Sequence, residues 1–152
     1  MSDDQPILEA AQRIMEDVGV GCLSTVGPGD RPHSRYMAAV TANDSLDWLY
    51  SLSAQATRKV EHLHKHPYVC WLFATADYHD VVTLHGRASI QPTAEMPSSV
   101  YHRLIEFAQP YAVNVTTDPH HYHFEAIVTR VETVELLAPH MGLTAPKRVQ
   151  LI

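Results

Sequence analysis

The chain reads as a mainly β protein, a six-stranded antiparallel β-barrel with peripheral helices. Three observations predict this class. Six strand-like segments recur along the 152 residues, most of them are joined by short turns, and only three stretches carry helical spacing. Short turns join strands that pair antiparallel, and helices at the margins of such a sheet pack against its faces.

The first element is a helix over 6–18. Ile7, Leu8, Ala11, Ile14, Met15 and Val18 recur at helical intervals, with Pro6 suited to the first turn and Gly19 to the stop. Val20 to Val26 reads as a strand and Gly27-Pro28-Gly29-Asp30 as a tight turn, so Pro32 to Thr41 is the partner strand of a hairpin. Asn43-Asp44 makes the next turn, and Leu46 to Leu52 the third strand. A short helix covers Ala56 to His66 and stops at Pro67. Tyr68 to Ala74 is a mostly apolar strand of the buried kind; Asp77 to Asp80 is a turn; a long strand containing Gly86 follows, from His79 or Val81 to Ile90. Pro97 opens a helix carrying Val100, Leu104 and Phe107 on one face, which ends before Pro110. Tyr111 to Tyr122 reads as a polar loop, Phe124 to Leu137 as the last strand, and Ala138 to Ile152 as a tail with Pro139, Gly142 and Pro146. There are no internal repeats and no linker, so 1–152 is expected to be one domain, with the barrel over about 20–137 and the tail over 138–152.

Composition narrows the function classes. A formal charge of −6 with no basic stripe argues against a nucleic-acid surface, and the 11 histidines make that charge soft to acid. Cys22 and Cys70 fall inside expected strands, as small reduced apolar residues rather than a disulfide framework. The acidic N-terminus lacks a secretory core and no apolar run approaches a membrane span, so a cytoplasmic location is expected.

One pattern points to chemistry. Pro32-His33-Ser34-Arg35-Tyr36-Met37 alternates like a strand, and Ala56-Thr57-Arg58-Lys59-Val60 changes to helical spacing after the small polar run Ser51 to Gln55. A strand arginine and an Arg-Lys pair at a helix start can converge on one dianion, helped by the free N–H groups and positive dipole end of that helix. Lysine is scarce, only Lys59, Lys65 and Lys147, which makes its place at a helix start notable. Spacing alone serves ordinary solvated helix residues at least as well.

Five short stretches in order resemble the pyridoxamine 5′-phosphate oxidase-like FMN-binding split-barrel family, and within it the group called general stress protein 26. They are Gly29-Asp30-Arg31-Pro32-His33-Ser34-Arg35-Tyr36-Met37, Leu49-Tyr50-Ser51-Leu52-Ser53, Ala56-Thr57-Arg58-Lys59-Val60, His66-Pro67-Tyr68-Val69 and Leu84-His85-Gly86-Arg87-Ala88. The resemblance covers roughly Ile7 to Leu137. It implies a split barrel, a homodimer, and FMN held across the subunit interface. By position, Arg35 is the strand arginine near the FMN phosphate, and Tyr36 and Met37 offer backbone to the isoalloxazine ring. Ser53 matches the Ser/Thr at the end of the third strand, and Thr57, Arg58 and Lys59 match the phosphate-binding helix start.

The departures point away from the vitamin substrate. The family's substrate-phosphate lysine, five residues past the strand arginine, is Val40 here, and a glutamine near the flavin aligns with Val81. The C-terminal tryptophan and arginine of the oxidase site have no clear counterpart after Val128. The resemblance therefore implies an FMN-dependent oxidoreductase of unassigned small-molecule substrate, with stress-related function in view and no catalytic residue assigned. The alternatives are a non-turnover flavin-binding or sensing module and a haem- or deazaflavin-binding relative of the same fold.

Other candidates carry less. His62 and His66 stand four apart on the expected helix, and His120, His121 and His123 cluster before the last strand, but no cysteine or spaced carboxylate completes a metal shell. These read as surface histidines, and no metal is expected. His33 shares a strand face with Arg35. Trp48, Tyr50, Trp71 and Phe73 read as barrel core or dimer contact, and no Ser-His-Asp or Cys-His arrangement stands out.

Overall fold

The computed structural model describes residues 4–43, 45–115 and 124–152, with the backbone alone over 108–115. Its elements run α1 (Gln5–Val18), β1 (Val20–Val26), β2 (Pro32–Ala38), β3 (Val40–Thr41), β4 (Trp48–Ala54), α2 (Arg58–Lys65), β5 (Tyr68–Ala74), β6 (Val81–Pro92), α3 (Ser98–Val115), β7 (Phe124–Ala138) and β8 (Leu143–Gln150). The strands form one eight-stranded sheet in the order β2-β1-β5-β6-β7-β4-β3, with β8 paired to β7.

The sheet curls because its two ends are chain neighbours. β2 closes one end and β3 the other, and only Ala39 separates them. The Ala39 N–H donates to Gly19 O at 3.1 Å, and Ser51 Oγ donates to Ala38 O at 2.7 Å, tying β4 to the end of β2. β2 therefore keeps one edge outside the sheet ladder, and this is the split in the barrel. A second division lies on β7. Residues 124–130 pair with β4 and residues 133–138 with β8 along the same edge, while β6 pairs along the other.

Alternation along the strands sends one set of side chains inward. Leu23, Leu49, Trp71, Phe73, Val82, Leu84, Ile127, Val134 and Leu136 meet the buried face of α1, Ile7, Ala10, Ala11, Ile14 and Met15. Burying rings the size of Trp71 and Phe73 stabilises by up to about 3 kcal/mol each. The Trp71 indole N–H stays satisfied by Thr129 Oγ1 at 3.1 Å. On the outer face of β4 and β7, Met96, Val100 and Leu104 cover Val40, Ala126 and Val128, a second core that docks α3.

Several expectations need correction. The strands number eight, not six. The expected Pro32–Thr41 strand breaks at Ala39 into β2 and β3, and the supposed tail supplies β8. Only Val149 is buried along β8, so its sequence carries too little alternation to read as a strand. The third strand is Trp48–Ala54, displaced from the expected Leu46–Leu52. α3 continues through Pro110 instead of ending before it; a proline removes one helical hydrogen bond, and the docked Val100 and Leu104 hold the preceding turns. Tyr111 to Val115 thus belong to this helix, while the histidine cluster His120, His121 and His123 lies outside the described residues. No described helix is long and apolar enough to cross a membrane.

Candidate functional site

Arg35 lies on the half-buried face of β2 with His33 and Met37, because residues two apart on a strand share a face. Its Nη1 donates to Thr25 Oγ1 at 2.7 Å, Leu23 O at 3.1 Å and His33 O at 3.2 Å. These three acceptors fix the guanidinium through one nitrogen. Among the described residues, Nη2 and Nε carry no protein hydrogen bond, leaving the planar fork available to an external acceptor.

Behind Arg35 stands a buried polar pair that sequence spacing did not disclose. Thr25 is 1% exposed and His62 6% exposed, and Thr25 Oγ1 lies 2.9 Å from His62 Nδ1. His62 is therefore no surface histidine and no partner of His66 in a metal pair: it turns inward from α2 toward β1. The His33 ring lies beside it, centroids 4.8 Å apart. Both rings crowd Gly27, where an added Cβ would fall 2.7 Å from His33 Cδ2 and 2.9 Å from His62 Nε2. Residue identity at 25, 27 and 62 is thus set by a contact spanning 37 positions, which local periodicity does not register.

α2 adds its own cations. Arg58 is exposed at its start and Lys59 half-buried beside it. Thr57 occupies the N-cap position with extended backbone, but its side chain makes no capping bond. Its hydroxyl lies instead 3.1 Å from Ser53 Oγ at the end of β4, and Ser53, 3% exposed, also donates to Ala54 O at 3.0 Å. The first N–H groups of α2 are left without a side-chain acceptor.

The electrostatics are those of gathered positive charge. Burial lowers the Arg35 pKa from its ordinary value, Cys22 opposing and Arg58 reinforcing. Burial, then the charge of Arg35, lowers that of Lys59. Burial depresses His62 too, followed by His33, Arg35 and Arg58, with Glu61 opposing, so His62 is held neutral at neutral pH. Among the described residues the one ion pair is Arg87–Glu132 on the outer wall, and no carboxylate bridges to Arg35, Arg58 or Lys59. Such an arrangement stabilises an anion with two or more negative oxygens.

The remaining expected site residues fall around this cluster. Tyr36 is 81% exposed on the face of β2 opposite Arg35, while Met37 packs on the core. Among the described strands β2 pairs with β1 alone, and the register set by Ala39 N–H to Gly19 O turns the backbone of Met37 toward Gly21 and that of Tyr36 to the open edge. Trp71 and Phe73 are core residues, Tyr50 packs on the second core, and Trp48 is 41% exposed. Clefts of about 500 and 270 Å³ flank α1, but they are lined by residues such as Glu9, Arg13, Asp47 and Arg103 and by none of these cations.

Comparison with known proteins identifies the family. The family model for pyridoxamine 5′-phosphate oxidase matches residues 7–138, and the chain belongs to that family. A comparison with curated proteins finds no significant match. Among solved structures, general stress protein 26 from Bacillus anthracis superposes with a TM-score of 0.70 at 19% identity, covering 95% of this chain and 98% of that one. A candidate pyridoxamine 5′-phosphate oxidase from Listeria innocua does so at 0.64 and 27% identity, covering 86% and 98%. A haem-binding protein from Mycobacterium smegmatis reaches 0.70 at 17% identity, covering 94% of this chain and 57% of that one.

Proposed function

Starting from membership of this family, we propose that the chain binds FMN by its phosphate at the cationic cluster and acts as a flavin-dependent oxidoreductase on a small molecule other than pyridoxamine phosphate. The observation that carries the reading is the convergence of Arg35, Arg58 and Lys59 without an ion-paired carboxylate among the described residues. These residues fit a dianion: Arg35 offers a fork already fixed by three acceptors, Lys59 a point charge, and the uncapped start of α2 its N–H groups. Ser53 and Thr57 add hydroxyls to the same edge, and the outward backbone N–H of Tyr36 on β2 offers a donor to the ring. Bound flavin would supply the electron exchange, with the protein holding it in place.

Val40 supports a substrate other than the vitamin phosphate. It is 6% exposed and packed on α3 in an apolar cluster, so this position brings no cation of its own to a second phosphate. A homodimer belongs to the same proposal. Leu72 and Tyr68 of β5 and Tyr36 of β2 stand 43%, 57% and 81% exposed, apolar surface that a second copy would cover.

Flavin-fluorescence titration tests the reading, with FMN and riboflavin side by side. Arg58→Ala or Lys59→Ala removes a charge-assisted hydrogen bond, roughly 1.5–3 kcal/mol, and weakens FMN on the order of ten- to a hundredfold. Riboflavin, lacking the phosphate, is expected to bind as before. Unchanged FMN affinity in both variants would remove the phosphate site, and a Soret band in place of flavin absorption would favour the haem-binding relatives.

A further inference from the structure

We propose that Asp77, His79 and His140 form a divalent metal site of the zinc type where the β5–β6 and β7–β8 turns meet. The cluster is separate from the cationic mouth and does not depend on the proposed flavin. One carboxylate oxygen of Asp77 and one ring nitrogen from each histidine all lie within 4.8 Å of one another. Asp77 and His79 come from the turn after β5, and His140 from the turn at 139–141 that links β7 to β8. Residues more than sixty positions apart are thus delivered to one point by the sheet.

Local structure orients the ligands before any ion arrives. Tyr78 adopts a left-handed conformation, φ 60°, which bends the chain between Asp77 and His79. Asp77 Oδ1 accepts from Thr75 Oγ1 at 2.6 Å and from the His79 backbone N–H at 3.1 Å. The His79 and His140 rings stack with centroids 5.9 Å apart and planes at 23°, which presents two imidazoles side by side.

The donor set selects the ion. Two imidazoles and one carboxylate suit zinc and its first-row neighbours, whereas magnesium and calcium take oxygen donors. Three protein ligands on an exposed surface leave a position for water or an anionic oxygen. A bound ion would also cross-link the β7–β8 turn to the β5–β6 turn.

Isothermal titration of zinc chloride into the full chain, freed of purification tag and stripped with a chelator, tests this. One saturable equivalent is expected, and Asp77→Asn, His79→Ala and His140→Ala are each expected to weaken it by about tenfold or more. His64→Ala, exposed on α2, is the control that leaves it unchanged. All three ligands are exposed, so melting without zinc should match the parent, and the zinc-dependent rise in melting temperature should vanish with the binding. No saturable equivalent in the parent would overturn the site. So would an equivalent kept in all three variants, which would place the zinc on other histidines.

Discussion

On the outer wall, Arg87 lies 4.8 Å from the centroid of the Tyr68 ring, donates to its hydroxyl, and faces Glu132 at 4.0 Å. Arg130 covers the Trp48 ring at 4.9 Å. At the mouth, Arg35, Arg58 and Lys59 have neither an aromatic face nor an ion-paired carboxylate among the described residues, and beside burial the charge of Arg58 lowers the pKa of Arg35 and that of Arg35 lowers the pKa of Lys59. The wall completes its own electrostatics inside the fold. The mouth leaves its charge for something outside it, at a cost to the ligand-free protein. Cations of the two regions therefore differ in what their removal does.

The largest expected effect lies in the wall. Gly86 sits at the bulge beside Arg87, and a Cβ there would fall 2.1 Å from Arg130 O, a backbone atom that cannot rotate away. Gly86→Ala is expected to destabilise by about 3 kcal/mol, at the upper end of overpacking costs. Urea unfolding checks it, and a loss below about 1 kcal/mol would show that β6 and β7 can separate. The fraction that folds should keep its flavin affinity, since the mouth is untouched.

Acid comes next. Burial and three positive neighbours depress His62 below its ordinary 6.5, so the folded state resists a proton that the unfolded chain accepts. Stability is therefore full above about pH 6.5 and falls as the pH drops below it. His62→Gln, which keeps a partner for Thr25 but cannot take the proton, should flatten that fall. Urea midpoints measured from pH 7.5 down to 5 decide it, and parallel curves for parent and variant would remove His62 from the account.

The smallest effects carry opposite signs. Lys59→Ala relieves repulsion, so the flavin-free protein should gain tenths of a kcal/mol even as FMN binding weakens. Arg87→Ala should lose roughly 0.5–1 kcal/mol of cation–π contact and leave FMN binding alone. Melting temperatures of both variants without flavin check the pair; the same sign for both would erase the distinction between wall and mouth.

Much of the scaffold was legible because its signals are local. The helical spacing of Ile7, Ala11 and Ile14 with Gly19 as a left-handed stop locates α1 within one residue. Arg35, Arg58 and Lys59 were singled out from a strand pattern and a helix start, and the fold brings them within electrostatic reach of one another. What was missed depends on tertiary pairing. β8 has one buried side chain and exists because β7 offers it an edge. Thr25 and His62 look unremarkable until β1 and α2 meet, and then they become the buried support for Arg35. His140 lay in an expected tail, and Asp77 and His79 around an ordinary turn; only the closed sheet places them together.

β7 pairs with β4, β6 and β8, which has a consequence for how the protein is made. On the ribosome, everything up to the end of α3 emerges before the strand that joins both halves of the sheet. Until residues 124–138 are out, β4 and β6 each lack their partner on that side and expose strand edges to other nascent chains. Pairings so distant in sequence also favour slow closure, on the order of milliseconds to seconds. A chain truncated before β7 should therefore collapse without forming a barrel and be recovered as aggregate, while loss of β8 alone should leave the barrel closed.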